Sequence, residues 1–161
     1  MKKISKVLFS LVVFASMFTG GLAMANEQAQ VIYRGAEQKA YQGPAQYFTG
    51  EAWVQPLFPD NQIATYVGAY VTFAPGARSN WHTHTAGQHL IVTKGVCWTQ
   101  TWNGQKSEAH PGDTIWCPPG VKHWHGASPD GEMTHLSLAH MKDGENTVWL
   151  ERVTDEQYYS K

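Results

Sequence analysis

The chain has 161 residues, with 12 basic and 13 acidic side chains, 8 histidines, 7 tryptophans and 2 cysteines. That length favours one domain with a sizeable core. The near-balanced charge offers no basic stripe for nucleic acid, and no Cys-x-x-Cys pair exists to hold zinc.

The first segment stands apart from the rest. Lys2, Lys3 and Lys6 precede an apolar run from Val7 to Phe18, and Gly20-Gly21 and Ala23-Met24-Ala25 follow. A positive start, a short apolar stretch and a small-x-small end read as a secretory signal over residues 1–25, removed after Ala25. The alternative is an uncleaved anchor, but twelve apolar-rich residues are short for a bilayer and no other segment suits a span. Cleavage removes three of the 12 basic residues and none of the 13 acidic ones, leaving a formal charge of −4. The expected location is exported, periplasmic or secreted, without stable membrane anchoring. There Cys97 and Cys117 can form a disulfide; two independent buried thiols is the alternative.

From Asn26 to about residue 45 the chain is mixed and polar, an arm with no sustained period. Tyr47–Gly50 and Trp53–Phe58 suggest an early strand, broken by Pro56 and Pro59. Ile63–Phe73 is rich in β-branched and aromatic residues and ends at Pro75-Gly76. Short extended segments follow near Asn80–His84, Gln88–Lys94 and Val96–Trp102, with Asn103-Gly104 as the tightest hairpin signal. Gln105–Ala109, Asp113–Cys117, Val121–His125, Glu132–Met141 and Thr147–Val153 continue the pattern, and Thr154-Asp155-Glu156 caps a short helical turn. No long 3.6-residue period appears. Many short strands joined by Gly/Pro turns predict an all-β sandwich or barrel, whose closure brings side chains from distant strands to one interior point.

Two segments carry the chemistry. On an extended segment His82 and His84 share a face, and after the turn at Thr85-Ala86-Gly87, Gln88 opens the apolar run Leu90-Ile91-Val92. Downstream, Pro118-Pro119-Gly120 turns the chain into His123 and His125, again on one face. Three imidazoles and an amide oxygen suit a divalent first-row metal with positions left for substrate. Scattered surface histidines are the alternative, and two clusters framed by turn glycines weigh against it. His89 alternates against Gln88 and should face away, while His110 and His140 lie beside turns and should face solvent. His125 either lines the cavity or packs in the core. His135, mid-strand, is open to both readings as well.

The spacing Gly76-x5-His82-x-His84-x3-Gln88-x6-Gly95 resembles the first motif of the cupins, and Gly112-x5-Pro118-x-Gly120-x2-His123 the second. Gln88 stands where most cupins have a glutamate, and Ala127 where many have an asparagine. The glutamine variant resembles small bacterial cupins that include manganese-dependent hydroxynitrile lyases. So do Tyr47-Phe48-Thr49-Gly50, Gly76-Ala77-Arg78, Met133-Thr134-His135 and the closing Val153 to Tyr158. The resemblance implies a single-domain double-stranded β-helix, or jelly-roll barrel, over residues 26–161, with its metal motifs at 76–95 and 112–127. It implies metal ligands His82, His84, Gln88 and His123, a catalytic base at His135, and a substrate pocket lined by Ser79 and, by its shared face with His123, His125. It implies one divalent metal per subunit, Mn(2+) first, with Fe, Zn or Ni as alternatives, and a small-molecule substrate. Exposed barrel edges and an aromatic N-terminal segment predict a homo-oligomer, a dimer or tetramer.

A neutral amide in place of a carboxylate leaves the metal charge uncancelled, making a stronger Lewis acid. That favours lyase chemistry on a cyanohydrin such as mandelonitrile, giving an aldehyde and HCN. The alternatives are a metal-dependent dioxygenase or isomerase on a small oxygenated substrate, and a non-catalytic periplasmic binding cupin.

Overall fold

The computed structural model describes residues 29–61 and 63–160. The signal segment 1–25 and the first residues of the expected arm lie outside the described residues. The chain divides into two units, Met1–Val31 and Ile32–Lys161. Of the first, residues 29–31 are exposed and without regular structure.

The second unit begins with a 3-10 turn at Gly35–Glu37 and continues as β1 (Tyr41–Gln42), β2 (Phe48–Thr49), β3 (Ala52–Phe58), β4 (Tyr66–Phe73), β5 (Arg78–Ser79), β6 (His82–His84) and β7 (Gln88–Lys94). It then runs through β8 (Cys97–Thr101), β9 (Ser107–Ala109), β10 (Thr114–Cys117), β11 (His123–Ala127), β12 (Met133–His140) and β13 (Thr147–Trp149), and ends in α1 (Asp155–Tyr159). The strands form two sheets. One has the order β1-β3-β4-β12-β7-β10; the other runs β13-β6-β11-β5-β2, with β8 pairing β11 and β9. The all-β architecture expected from short strands and Gly/Pro turns is present, with the two sheets of the jelly-roll that the resemblance implies.

Alternation explains the interior. Along β4, Val67, Ala69 and Val71 line the cavity, while Tyr66 and Tyr70, of opposite parity, are exposed. Beyond Val71, Phe73 joins Phe48, Val92, Cys97 and Met133 in the core. A second cluster, of Trp81, Trp124, Val153 and Tyr158, includes Tyr158 from α1. The helix is fixed by a capping box: the Thr154 hydroxyl accepts from Gln157 N, and the Gln157 side chain accepts from Thr154 N.

Several boundaries differ from the sequence expectation, each for a local reason. Pro56 does not break β3. The β1 partner pairs only with Trp53 and Val54, so Pro56 sits where that edge is unpaired, beside a register shift. Ile63 and Ala64 are kept out of β4 because their amides donate to the Asn61 side-chain oxygen. Asn103-Gly104 is not a two-residue hairpin: pairing of β8 with β9 stops at Thr99 and Ser107, and Gly104 N closes a turn on Thr101 O. The segment Asn80–His84 is interrupted because Asn80 N and Trp81 N donate to Tyr47 O and Glu151 O. Cys97 and Cys117 are both buried free thiols, pushed up to about 12 by burial. Among the described residues no helix is long and apolar enough to cross a membrane.

Candidate metal centre and its cavity

His82 and His84 project from β6, and His123 lies directly across the ladder from His82. The ring centroids of His82 and His123 are 4.3 Å apart, and those of His84 and His123 are 5.3 Å apart. Gln88 begins β7 after Gly87, whose φ of 90° lies in the left-handed region that favours glycine. The turn at Pro118-Pro119-Gly120 is tied to the same strand, because Gly120 N donates to His84 O.

Each ring is locked in the same way. The Nδ1 atoms of His82, His84 and His123 lie 2.9 Å from the carbonyl oxygens of Asn80, Asn146 and Val121. A carbonyl only accepts, so each Nδ1 carries the proton and each Nε2 presents a lone pair. His84 Nε2, His123 Nε2 and Gln88 Oε1 are buried without a hydrogen-bond partner. Buried polar atoms without partners are costly and uncommon, and here they are all acceptors. Such a set fits a divalent first-row metal. His125 also comes close, since one ring nitrogen from each of His82, His123 and His125 lies within 4.8 Å of the others. Its Nδ1, however, is 3.2 Å from His135 Nε2, and no backbone carbonyl locks it. The carbonyl lock and the orphaned Nε2 set His84 apart from His125, and Gln88 adds an orphaned oxygen acceptor.

Electrostatics keep all of these rings neutral. Burial, then the neighbouring imidazoles, holds His82 and His125 well below the ordinary histidine range. Burial lowers His84 too, opposed by the Asn146 carbonyl and the Gln88 amide. His123 and His135 fall to about 4, in both cases chiefly through burial.

The cluster opens on a cavity of about 640 Å3. Its walls are largely apolar, including Tyr47, Val54, Phe58, Val71 and Trp149, with His82, His84, Gln88, His125, His135 and Ser137 as polar groups. Tyr47 stacks on Trp149, which lies 5.0 Å from His82. His135 is fully buried, and its Nδ1 has no partner. His125, expected among the substrate contacts, does face the cavity. Ser79 does not: it is fully buried and its hydroxyl accepts from His125 N at 3.2 Å, so it supports a strand rather than lining the pocket. His89 stacks against Trp116 on the outer face, and His110 and His140 are exposed. Two groups escaped the sequence reading. Ser137 accepts a hydrogen bond from Gln88 Nε2 at 2.9 Å. Its signal was available, since Ser137 is two residues from His135 and shares its face. Asn146 is the other, and no pattern marks a loop carbonyl that holds a ring.

The cupin domain family matches residues 69–139. An (R)-mandelonitrile lyase from Granulicella tundricola is 51% identical over 127 residues, covering 79% of this chain and 97% of that protein. A cupin-like protein from Thermotoga maritima has a similar structure, with a TM-score of 0.70, 36% identity, and coverage of 81% of this chain and 95% of its own. A polyketide cyclase from Streptomyces resistomycificus shares the fold at 16% identity and a TM-score of 0.61, covering 81% of this chain and 91% of its own.

Proposed function

The chain belongs to the cupin family, and on that premise we propose that it is a metal-dependent lyase that splits a cyanohydrin, mandelonitrile being the test case, into an aldehyde and HCN. The substrate class comes from the named activity of the 51% identical relative. The observation that carries the chemistry is His135, a neutral imidazole with an unpartnered Nδ1, in an apolar cavity beside the three buried, unpartnered acceptors of His84, His123 and Gln88.

His82, His84 and His123 through Nε2, and Gln88 through Oε1, would hold one divalent metal, Mn(2+) by the resemblance noted above. When bound, it supplies Lewis-acid stabilisation of developing negative charge, undiminished by a carboxylate ligand. His135 Nε2 faces His125 Nδ1, which leaves His135 Nδ1 to take the hydroxyl proton of the substrate. As that proton leaves, the oxygen electrons form the carbonyl, the bond between the two carbons breaks, and its pair departs with cyanide. The proton on His135 then passes to cyanide, so HCN and aldehyde leave and the base is restored. The aromatic wall of Tyr47 and Trp149 gives an aryl substituent an apolar seat and excludes water. The enzyme is read as an exported homo-oligomer, its signal removed after Ala25.

Elemental analysis of the purified mature protein, with mandelonitrile cleavage assayed before and after metal removal, tests this. One metal per subunit and cleavage that disappears and returns with the metal are expected. A fully loaded protein without cleavage defeats the lyase reading.

A further inference from the structure

We propose that Ser137 is a positioning residue for the metal: its hydroxyl holds the Gln88 amide with the oxygen turned toward the histidines. The inference rests on the metal reading above.

An amide is nearly symmetric in shape but opposite in chemistry at its two ends. Toward a cation only the oxygen is useful; rotated by half a turn, the group presents two N–H donors. A carboxylate has no such wrong orientation. The departure from glutamate at position 88 therefore creates a need that a glutamate site lacks, for an acceptor that occupies the amide nitrogen away from the metal.

The sheet supplies one. On β12, Ala139 stands opposite Gln88 and Ser137 opposite Leu90. Ser137 therefore meets Gln88 on the diagonal of the cavity face, a separation that longer side chains span. Ala139 has no polar atom to offer. Gln88 Nε2 donates to Ser137 Oγ at 2.9 Å, and Oε1, at the other end of the amide, is buried and unpartnered. Gln88 lines the same cavity as His82 and His84. Without the hydroxyl, either the N–H2 group stays buried and unpaired in the metal-binding orientation, or the amide turns and loses the ligand. Both outcomes weaken metal binding.

The test is Mn(2+) alone, titrated calorimetrically into the metal-free full chain, beside the thermal midpoint of each metal-free variant. Wild type should bind one ion. Ser137→Ala should bind about ten- to a hundredfold more weakly, while still unfolding in one cooperative transition without metal. Ser137→Thr, which keeps the acceptor, should bind as wild type does, and Ser137→Val, its isostere without the hydroxyl, should behave like Ser137→Ala. In the Gln88→Glu background the Ser137→Ala loss should shrink to within about threefold, because no N–H2 is left to satisfy. Equal losses in both backgrounds, unchanged affinity in Ser137→Ala, or identical Thr and Val variants would overturn the positioning role. Failure of wild type to bind Mn(2+) would instead remove the metal reading itself.

Discussion

The two sheets are built differently, and the site draws on each for a different task. In the first, β4 and β12 have eight residues each and β7 has seven; β12 is paired along its length with β4, and from Thr134 to Ala139 with β7, with a register shift between Thr134 and His135. In the second, β5 has two residues, β6 three and β11 five. The three carbonyl-locked histidines lie on the short strands, while Gln88, His135 and Ser137 lie on the long ones. A three-residue strand cannot orient a ring through its ladder alone. His82, His84 and His123 are therefore fixed by carbonyls from irregular segments, at Asn80, Asn146 and Val121. On the long strands the pleat does the orienting, and His135 keeps one nitrogen free.

If that division is correct, changes on the two sheets should have separable effects. The largest is expected on the short strands. His82→Ala or His123→Ala should abolish stoichiometric metal binding, read by elemental analysis; full occupancy in either would dissolve the proposed ligand set. On the long strands, His135→Ala should leave metal content and folding intact while lowering cyanohydrin turnover by about a hundredfold or more. His135→Asn, polar but not basic, should fail similarly. Loss of metal in these variants would make His135 a ligand and erase the contrast between the sheets.

Protons test both sheets at once. The folded pKa of His123 and of His135 lies near 4, below the ordinary value of 6.5, so the unfolded chain takes up protons that the folded chain refuses. Stability from these groups is full above about pH 6.5 and is lost as pH falls toward 4. Between pH 7 and 5 each should cost the metal-free protein on the order of 2 kcal/mol, measured by urea unfolding. A flat profile would mean that the rings are not buried neutral. A smaller effect belongs to the helix that packs beside the second sheet: Thr154→Ala removes one half of its capping box and should lower stability by about 1 kcal/mol.

What the sequence disclosed follows the same division. Period-two alternation placed β4, β7 and β12 within a few residues, because long strands repeat their pattern often enough to be read. It also put His82 with His84, and His123 with His125, on common faces. Ser79 was assigned to the pocket through resemblance; the structure turns its hydroxyl to His125 N, a contact that local pattern does not encode. The carbonyl of Asn146 is invisible for the same reason, lying 62 residues from the ring it holds. Ser137 was legible by parity with His135. A mid-strand serine carries no motif of its own, since it neither titrates nor commonly ligates.

The long reach of the His84 lock has a consequence for the order of events as the chain is made. His82 and His84 emerge from the ribosome well before Asn146, whose carbonyl holds His84, and before β13, which pairs with β6. Later still comes Tyr158, whose hydroxyl donates at 2.6 Å to Ala127 O, at the end of the strand that carries His123. A growing chain thus displays His84 before the carbonyl that sets its tautomer, whereas His82 and His123 follow theirs by two residues, at Asn80 and Val121. The site therefore takes its full shape only once Asn146 and β13 are in place beside β6.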